Sequence, residues 1–288
     1  MVLPTSSPRT PAIRLGSTEC DCGDILDRLK SNRWRVAARC GDLVNGILVR
    51  IGVDQAYGRW NAPVDEATRE FVFVPIPDGD AKQYRPGLRV AYDDIRADVR
   101  TFAQQKNFPA DWEFGFPETL RQHSAHLDPD FRWLTYGDNG AVRGKGISQL
   151  KRGDLLVFYS GLRSIQRQNV LVYAITGLYV VDEVARAAEI PAERHRENAH
   201  TRWDVISPND IVVIARADVS GRLQRCIPMG EFRDRAYRVT PDLEAAWGGL
   251  SVKNGYVQRS VVPPSFRDAG RFYGWFLQQD VSLVKRNN

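Results

Sequence analysis

Gly153-Asp-Leu-Leu-Val-Phe-Tyr-Ser-Gly-Leu-Arg163, followed after a short loop by Asn169-Val-Leu-Val-Tyr-Ala-Ile-Thr-Gly-Leu-Tyr-Val-Val181, decides the fold class. Both runs are dense in β-branched and aromatic residues and are bounded by glycine and polar residues, as strands at the centre of a sheet are. The loop between them bears Arg163 and Arg167. Working outward, Ile47 to Ile51, ended by Gly52, and Phe71 to Val74, stopped by Pro75 and Pro77, read as strands flanking a polar loop. Ile211 to Ala215 and Arg222 to Pro228 read as two more. Tyr92 to Gln105 places Ile95, Val99 and Phe102 on one helical face. Further helical pieces are predicted over Val184 to Ala188, Leu243 to Trp247 and Ser265 to Gln279. The expectation is an α+β protein with a curved mixed or antiparallel sheet and flanking helices.

At 288 residues and 43% hydrophobic content the chain can bury a substantial core. Residues 1–45 stand apart: a Pro-, Ser- and Thr-rich tail, then an appended helical segment over Asp24 to Arg39, with the α+β domain expected over residues 46–288. Cys20, Cys22, Cys40 and Cys226 are too few and too uneven for a disulfide framework, and no signal peptide precedes them, so a reducing cytoplasm is expected. Three thiols in the extension make an incomplete metal site, and no metal is expected. No apolar stretch approaches the roughly 20 residues of a membrane helix, so no membrane partner is expected. The formal net charge of +5 suits a polyanionic partner, but 33 of the 40 basic residues are arginine, a ratio that GC-rich coding also produces.

Phosphate-binding glycine loops, dinucleotide fingerprints and paired two-cysteine knuckles are missing from the sequence, which removes the enzyme classes they mark. The long stretch Phe108 to Gly146 reads as irregular and is where function is expected. Within it His123-Ser-Ala-His126-Leu-Asp128-Pro-Asp130 packs two imidazoles and two carboxylates into eight residues, which could supply metal ligands or an acid–base pair. The competing reading has Asp128 capping a turn and His126 bonded to backbone. A second polar knot, Glu193 to Trp203, contains Asn198, His200 and Arg202, which could bond a base edge while Trp203 stacks on its face; alternatively it is an exposed, charged helix end. Asp54-Gln55-Ala-Tyr57-Gly-Arg-Trp60-Asn61 mixes an acid, amides and aromatics on the loop after the first strand, where ligand groups and core lids both occur.

Taken in order, Ile47 to Pro63, Val74-Pro-Ile-Pro77, Tyr92-Asp93, His126-Leu-Asp-Pro-Asp130, Gly137-Asp138 and Gly153 to Arg163 resemble the nucleotide modification associated domain 3 family. The resemblance covers about Gly46 to Phe276 and leaves the first 45 residues outside it. It implies association with systems that hypermodify DNA bases in phages and bacteria, and carries no reaction or catalytic residue with it. The strand pair after Gly153 is also similar to that of PUA-like barrels of the EVE and ASCH kind, pockets for a flipped or modified base, which makes a barrel one closure of the expected sheet.

The reading that follows is a protein that binds, and processes, a modified nucleotide, in DNA rather than RNA. His126, Asp128 and His200 are its candidate catalytic residues. Asp54, Gln55, Tyr57, Trp60, Asn198, Arg202 and Arg163 are its candidate binding residues, and the cofactor is left open. The alternatives are a non-catalytic reader of modified DNA that recruits a modification or restriction partner, and a basic subunit that docks another enzyme of such a system.

Overall fold

A computed structural model describes residues 45–288 of the chain apart from 57–58, 80, 108–115, 142, 168 and 259–261. Tyr57, the expected helix over Asp24 to Arg39, and Cys20, Cys22 and Cys40 lie outside the described residues. The two runs that decide the fold are strands β4 (Leu155–Ser164) and β5 (Leu171–Arg186), paired antiparallel from Leu155↔Val180 to Arg163↔Leu171. β1 (Gly46–Arg50) and the short β2 (Pro63–Val64) lie parallel to β4, with Gly46 opposite Leu155 and Pro63 opposite Arg163.

β5 is long enough to serve two partners besides β4. Its middle pairs antiparallel with β7 (Gly221–Pro228), and its end pairs with β6 (Asp210–Ala215). β6 carries β3 (Thr135–Asn139) antiparallel on its other side, and β10 (Leu283–Val284) pairs with β7. Among the described residues these eight strands form one mixed sheet whose path β1-β4-β5-β6-β3 stays open; it does not close into a barrel. A separate hairpin joins β8 (Gly230–Arg233) to β9 (Ala236–Val239).

The core explains why these segments pair. Leu155 to Tyr159 and Ala174 to Val181 are buried almost without interruption. Phe158, Tyr179 and Phe131 meet edge to face, with centroids 4.8–5.7 Å apart. Each fully buried aromatic of this kind contributes about 2–3 kcal/mol relative to exposure. Helix α1 (Tyr92–Gln105) buries Tyr92, Ile95, Val99 and Phe102, the stripe its spacing predicts. α2 (Glu118–Arg121), α3 (Ala199–Arg202) and α4 (Pro241–Ala246) are single turns or little more. α5 (Ala269–Leu277) starts at Asp268, whose side chain accepts the Arg271 N–H, and packs Phe272 and Trp275 against the fully buried Trp247.

Three local expectations are corrected. Val184 to Ala188 is not helical: β5 continues to Arg186 because Val184 and Ala185 pair with Val213 and Val212, and only Ala187–Glu189 coils, as a 3₁₀ turn. Phe71 to Val74 is extended but makes one bridge, Phe71 to Val64. The Asn288 side-chain amide takes the place of a strand partner at Phe73, bonding its N–H and carbonyl at 2.7 and 3.0 Å. The stretch from Phe108 to Gly146 is not irregular throughout, since it contains α2 and β3. No helix among the described residues is long and apolar enough to cross a membrane.

Candidate active site built on two histidine–carboxylate pairs

Backbone pairing outside the regular strands assembles the site. Residues 76–78 run against 124–126: the His126 N–H reaches the Ile76 carbonyl and the Asp78 N–H the Ser124 carbonyl, both at 2.9 Å. That contact sets His126 beside Asp78, with Nδ1 2.8 Å from Oδ1. Next, the chain turns over residues 131–134, closed by reciprocal backbone bonds between Asp130 and Thr135, and enters β3. Across this turn the Gly137 N–H donates to both carboxylate oxygens of Asp128, at 2.9 Å each.

Asn198 joins this hairpin to α3. Its Oδ1 caps the helix by accepting the His200 N–H at 2.9 Å, and its Nδ2 donates to Asp128 Oδ1 and Thr135 Oγ1, each at 3.3 Å. His200 Nδ1 lies 2.9 Å from Oδ2 of Asp210, the first residue of β6. Both imidazoles are thereby held by a carboxylate at Nδ1, which places the Nδ1 proton there and leaves Nε2 as the free nitrogen. The two Nε2 atoms each stand 3.7 Å from Asp128 Oδ2, and the rings meet edge to face with centroids 5.1 Å apart.

The remaining surroundings are aromatic and polar. Residues 83–85 run against 202–204, which brings Trp203 against both imidazoles, at 5.5 Å from His126 and 4.7 Å from His200. Lys82 Nζ covers the indole 3.3 Å from its centroid. Tyr84 OH and Trp203 Nε1 donate to Asp78 Oδ2. Burial alone would raise Asp78, but the hydrogen bonds and charge of His126, with Tyr84 and Trp203, hold it below the usual carboxylate range. Asp210 is likewise lowered: burial opposes ionisation, and His200, Lys82 and Asn139 outweigh it. Asp128 goes the other way. Burial pushes its carboxyl up to about 8, against the pull of His200, the Gly137 N–H and Asn198.

Of the residues singled out from sequence, the structure brings together His126, Asp128, Asn198 and His200. Arg202 sits beneath them: it is buried, its Nη2 lies 2.6 Å from Asp130 Oδ2, and it donates to the Arg196 carbonyl. Trp203 is a buried wall rather than an open stacking face. Asp54 and Gln55 belong to a different neighbourhood, where Asp54 pairs with Arg50 at 2.9 Å and Gln55 bonds Asn61 at 3.1 Å. Trp60 is buried against Phe116, and Arg163 lies at the β2 end of β4. Sequence reasoning missed Asp78 and Asp210. Each directly flanks a segment that was read, Val74 to Pro77 and Ile211 to Ala215, but no periodicity marks either as a histidine partner.

Fold and site together define an open-sheet α+β protein with a buried centre of two imidazoles and three carboxylates. The chain belongs to the nucleotide modification associated domain 3 family, whose profile matches residues 45–245 and therefore takes in every residue of that centre while leaving α5 outside. Membership associates the chain with nucleotide modification. Searches of curated proteins and of solved structures returned no match.

Proposed function

We propose that this protein chemically processes a modified nucleotide within a DNA base-modification system, with His126, Asp128 and His200 as the reaction centre. The observation that carries the reading is the convergence of two carboxylate-held imidazoles, through their Nε2 atoms, on one buried carboxylate. Orienting carboxylates at Nδ1 fix the ring tautomer and orientation and leave the Nε2 lone pair presented, which proton transfer or ligand binding at that atom requires. Exposed Lys82 stands beside the centre and offers a cation to a phosphate.

The reader alternative calls for open aromatic faces on which a base can stack. Trp203 is 5% exposed and already flanked by Lys82 and the imidazoles, and Trp60 is 7% exposed, so these two rings support processing over reading. The test is nucleoside mass spectrometry on unmodified and hypermodified DNA incubated with the purified protein, with filter binding on the same samples. A mass change lost in His126→Ala, with retention on the filter largely kept, is the expected result. Selective retention of modified DNA without any mass change would replace this reading by the reader.

A further inference from the structure

We infer that His126 Nε2, His200 Nε2 and one oxygen of Asp128 bind a single divalent first-row transition-metal ion. The assignment deepens the reading of this centre as the reaction site and rests on that reading for its use, while its geometry is independent of it.

The argument begins with the lone pairs. With Nδ1–H of each ring donated to Asp78 or Asp210, both Nε2 atoms present acceptors, and they face a carboxylate that is also an acceptor. One ligand atom from each of the three residues lies within 4.8 Å of the other two. Three acceptors turned toward one another call for a proton or a cation between them. The 3.7 Å separation is too long for an N–H···O bond from a protonated ring, whose range is roughly 2.7–3.2 Å. It is close to the span between two ligands of one ion: bonds of about 2.1 Å separated by tetrahedral to trigonal angles put ligand atoms roughly 3.4–3.6 Å apart.

The surroundings are those a metal centre needs. Each imidazole has its orienting carboxylate behind it, and the Asp128 carboxylate is itself aimed by the Gly137 N–H and the Asn198 amide. Two imidazoles and one carboxylate suit borderline ions such as zinc, iron(II) or cobalt(II) rather than calcium or magnesium, which prefer all-oxygen sites. Three protein ligands leave coordination positions open for water or substrate, and an ion so held can polarise a bound oxygen or acidify a bound water. Gly137 accounts for the close approach, since a Cβ there would stand 2.7 Å from Asn198 Oδ1 and nearer still to the His200 ring.

The test uses the full-length protein stripped with chelator and titrated with Zn²⁺ by calorimetry and with Co²⁺ by visible absorption. One ion per chain is expected, with cobalt d–d bands of a nitrogen- and oxygen-ligated site. His126→Ala and His200→Ala should each weaken binding by more than about 100-fold, and Asp78→Asn, which touches only an orienting partner, by about 10-fold or more. His126→Gln and Asp128→Asn, checked by circular dichroism, serve if an alanine variant does not fold. Absence of uptake by folded wild type would overturn the assignment. So would unchanged affinity in both histidine variants, or the intense thiolate charge-transfer absorption of an ion held by Cys20, Cys22 and Cys40. A nucleotide mass change by a folded protein that takes up no ion would overturn the ion and leave the reaction reading standing; metal uptake without a mass change on any substrate would do the reverse.

Discussion

Gly137 lies directly against His200: its N–H holds Asp128, and its missing side chain is the space the His200 ring occupies. A methyl group there has to displace either the imidazole or the Asn198 amide. Gly137→Ala is expected to lower stability by about 1–3 kcal/mol and to weaken Zn²⁺ binding and turnover at least about 10-fold. The control is Gly274→Ala within α5, where a Cβ meets nothing within 4 Å and helix propensity predicts a gain of up to about 1 kcal/mol. Thermal unfolding and calorimetry on the two variants separate a local clash from a general effect of added methyl groups.

Arg202 and Asp130 form a pair with side chains 7% and 2% exposed, the guanidinium also holding the Arg196 carbonyl. Arg202→Met leaves the Asp130 carboxylate buried without its cation and should cost about 3–5 kcal/mol. Adding Asp130→Asn should return a large part of that loss. Urea unfolding of the single and double variants checks it, and additive losses would mean that the two residues act independently.

Asn198 serves α3 and Asp128 with the two ends of one amide. Asn198→Ala should cost about 1–2 kcal/mol through the lost cap and the lost buried bond. Asn198→Asp keeps a cap acceptor but removes the amide donor to Asp128 and Thr135 and buries a second ionisable carboxyl beside Asp128, so it should be the less stable of the two variants near neutral pH. Denaturant midpoints decide the order.

Lys106 bridges Asp65, at 2.9 Å, and Glu70. Burial alone would raise Asp65, but hydrogen bonds from Lys106, Thr68 and Gln166 hold it well below the usual carboxylate range; the Lys106 bond lowers Glu70 as well. Carboxyls depressed by folding stabilise the protein above their unfolded values, about 4, and that stability is lost as pH falls through the folded ones. Lys106 itself is raised: burial opposes its charge, and Glu70 and Asp65 outweigh it. Its contribution is full below the unfolded value of about 10.4 and fades as pH rises through the folded one. Lys106→Met should therefore lower stability by about 2 kcal/mol between roughly pH 5 and 9, with the gap to wild type closing below about pH 4. A gap that does not change with pH would show that the loss is one of packing.

Local sequence determined the elements whose cause is local. The β4 and β5 runs are strands because their residues are β-branched, aromatic and continuous, and α1 shows its buried stripe in the spacing of Ile95, Val99 and Phe102. The ordered segments from Ile47 to Arg163 were enough to indicate the family, and the dense histidine–carboxylate run flagged His126 and Asp128. The end of β5 departs from the helical expectation because Val184 to Arg186 is held straight by β6, a partner distant in sequence.

Only the tertiary structure decided that Asp78 holds His126, that Asp210 holds His200, and that Arg202 and Trp203 face inward. Those relationships depend on loop backbones meeting, residues 76–78 with 124–126 and 83–85 with 202–204. Such pairings follow from where the sheet and turns carry the chain, and they leave no period in the sequence, because hydrophobic spacing records which face of an element is buried and not which loop lies opposite another.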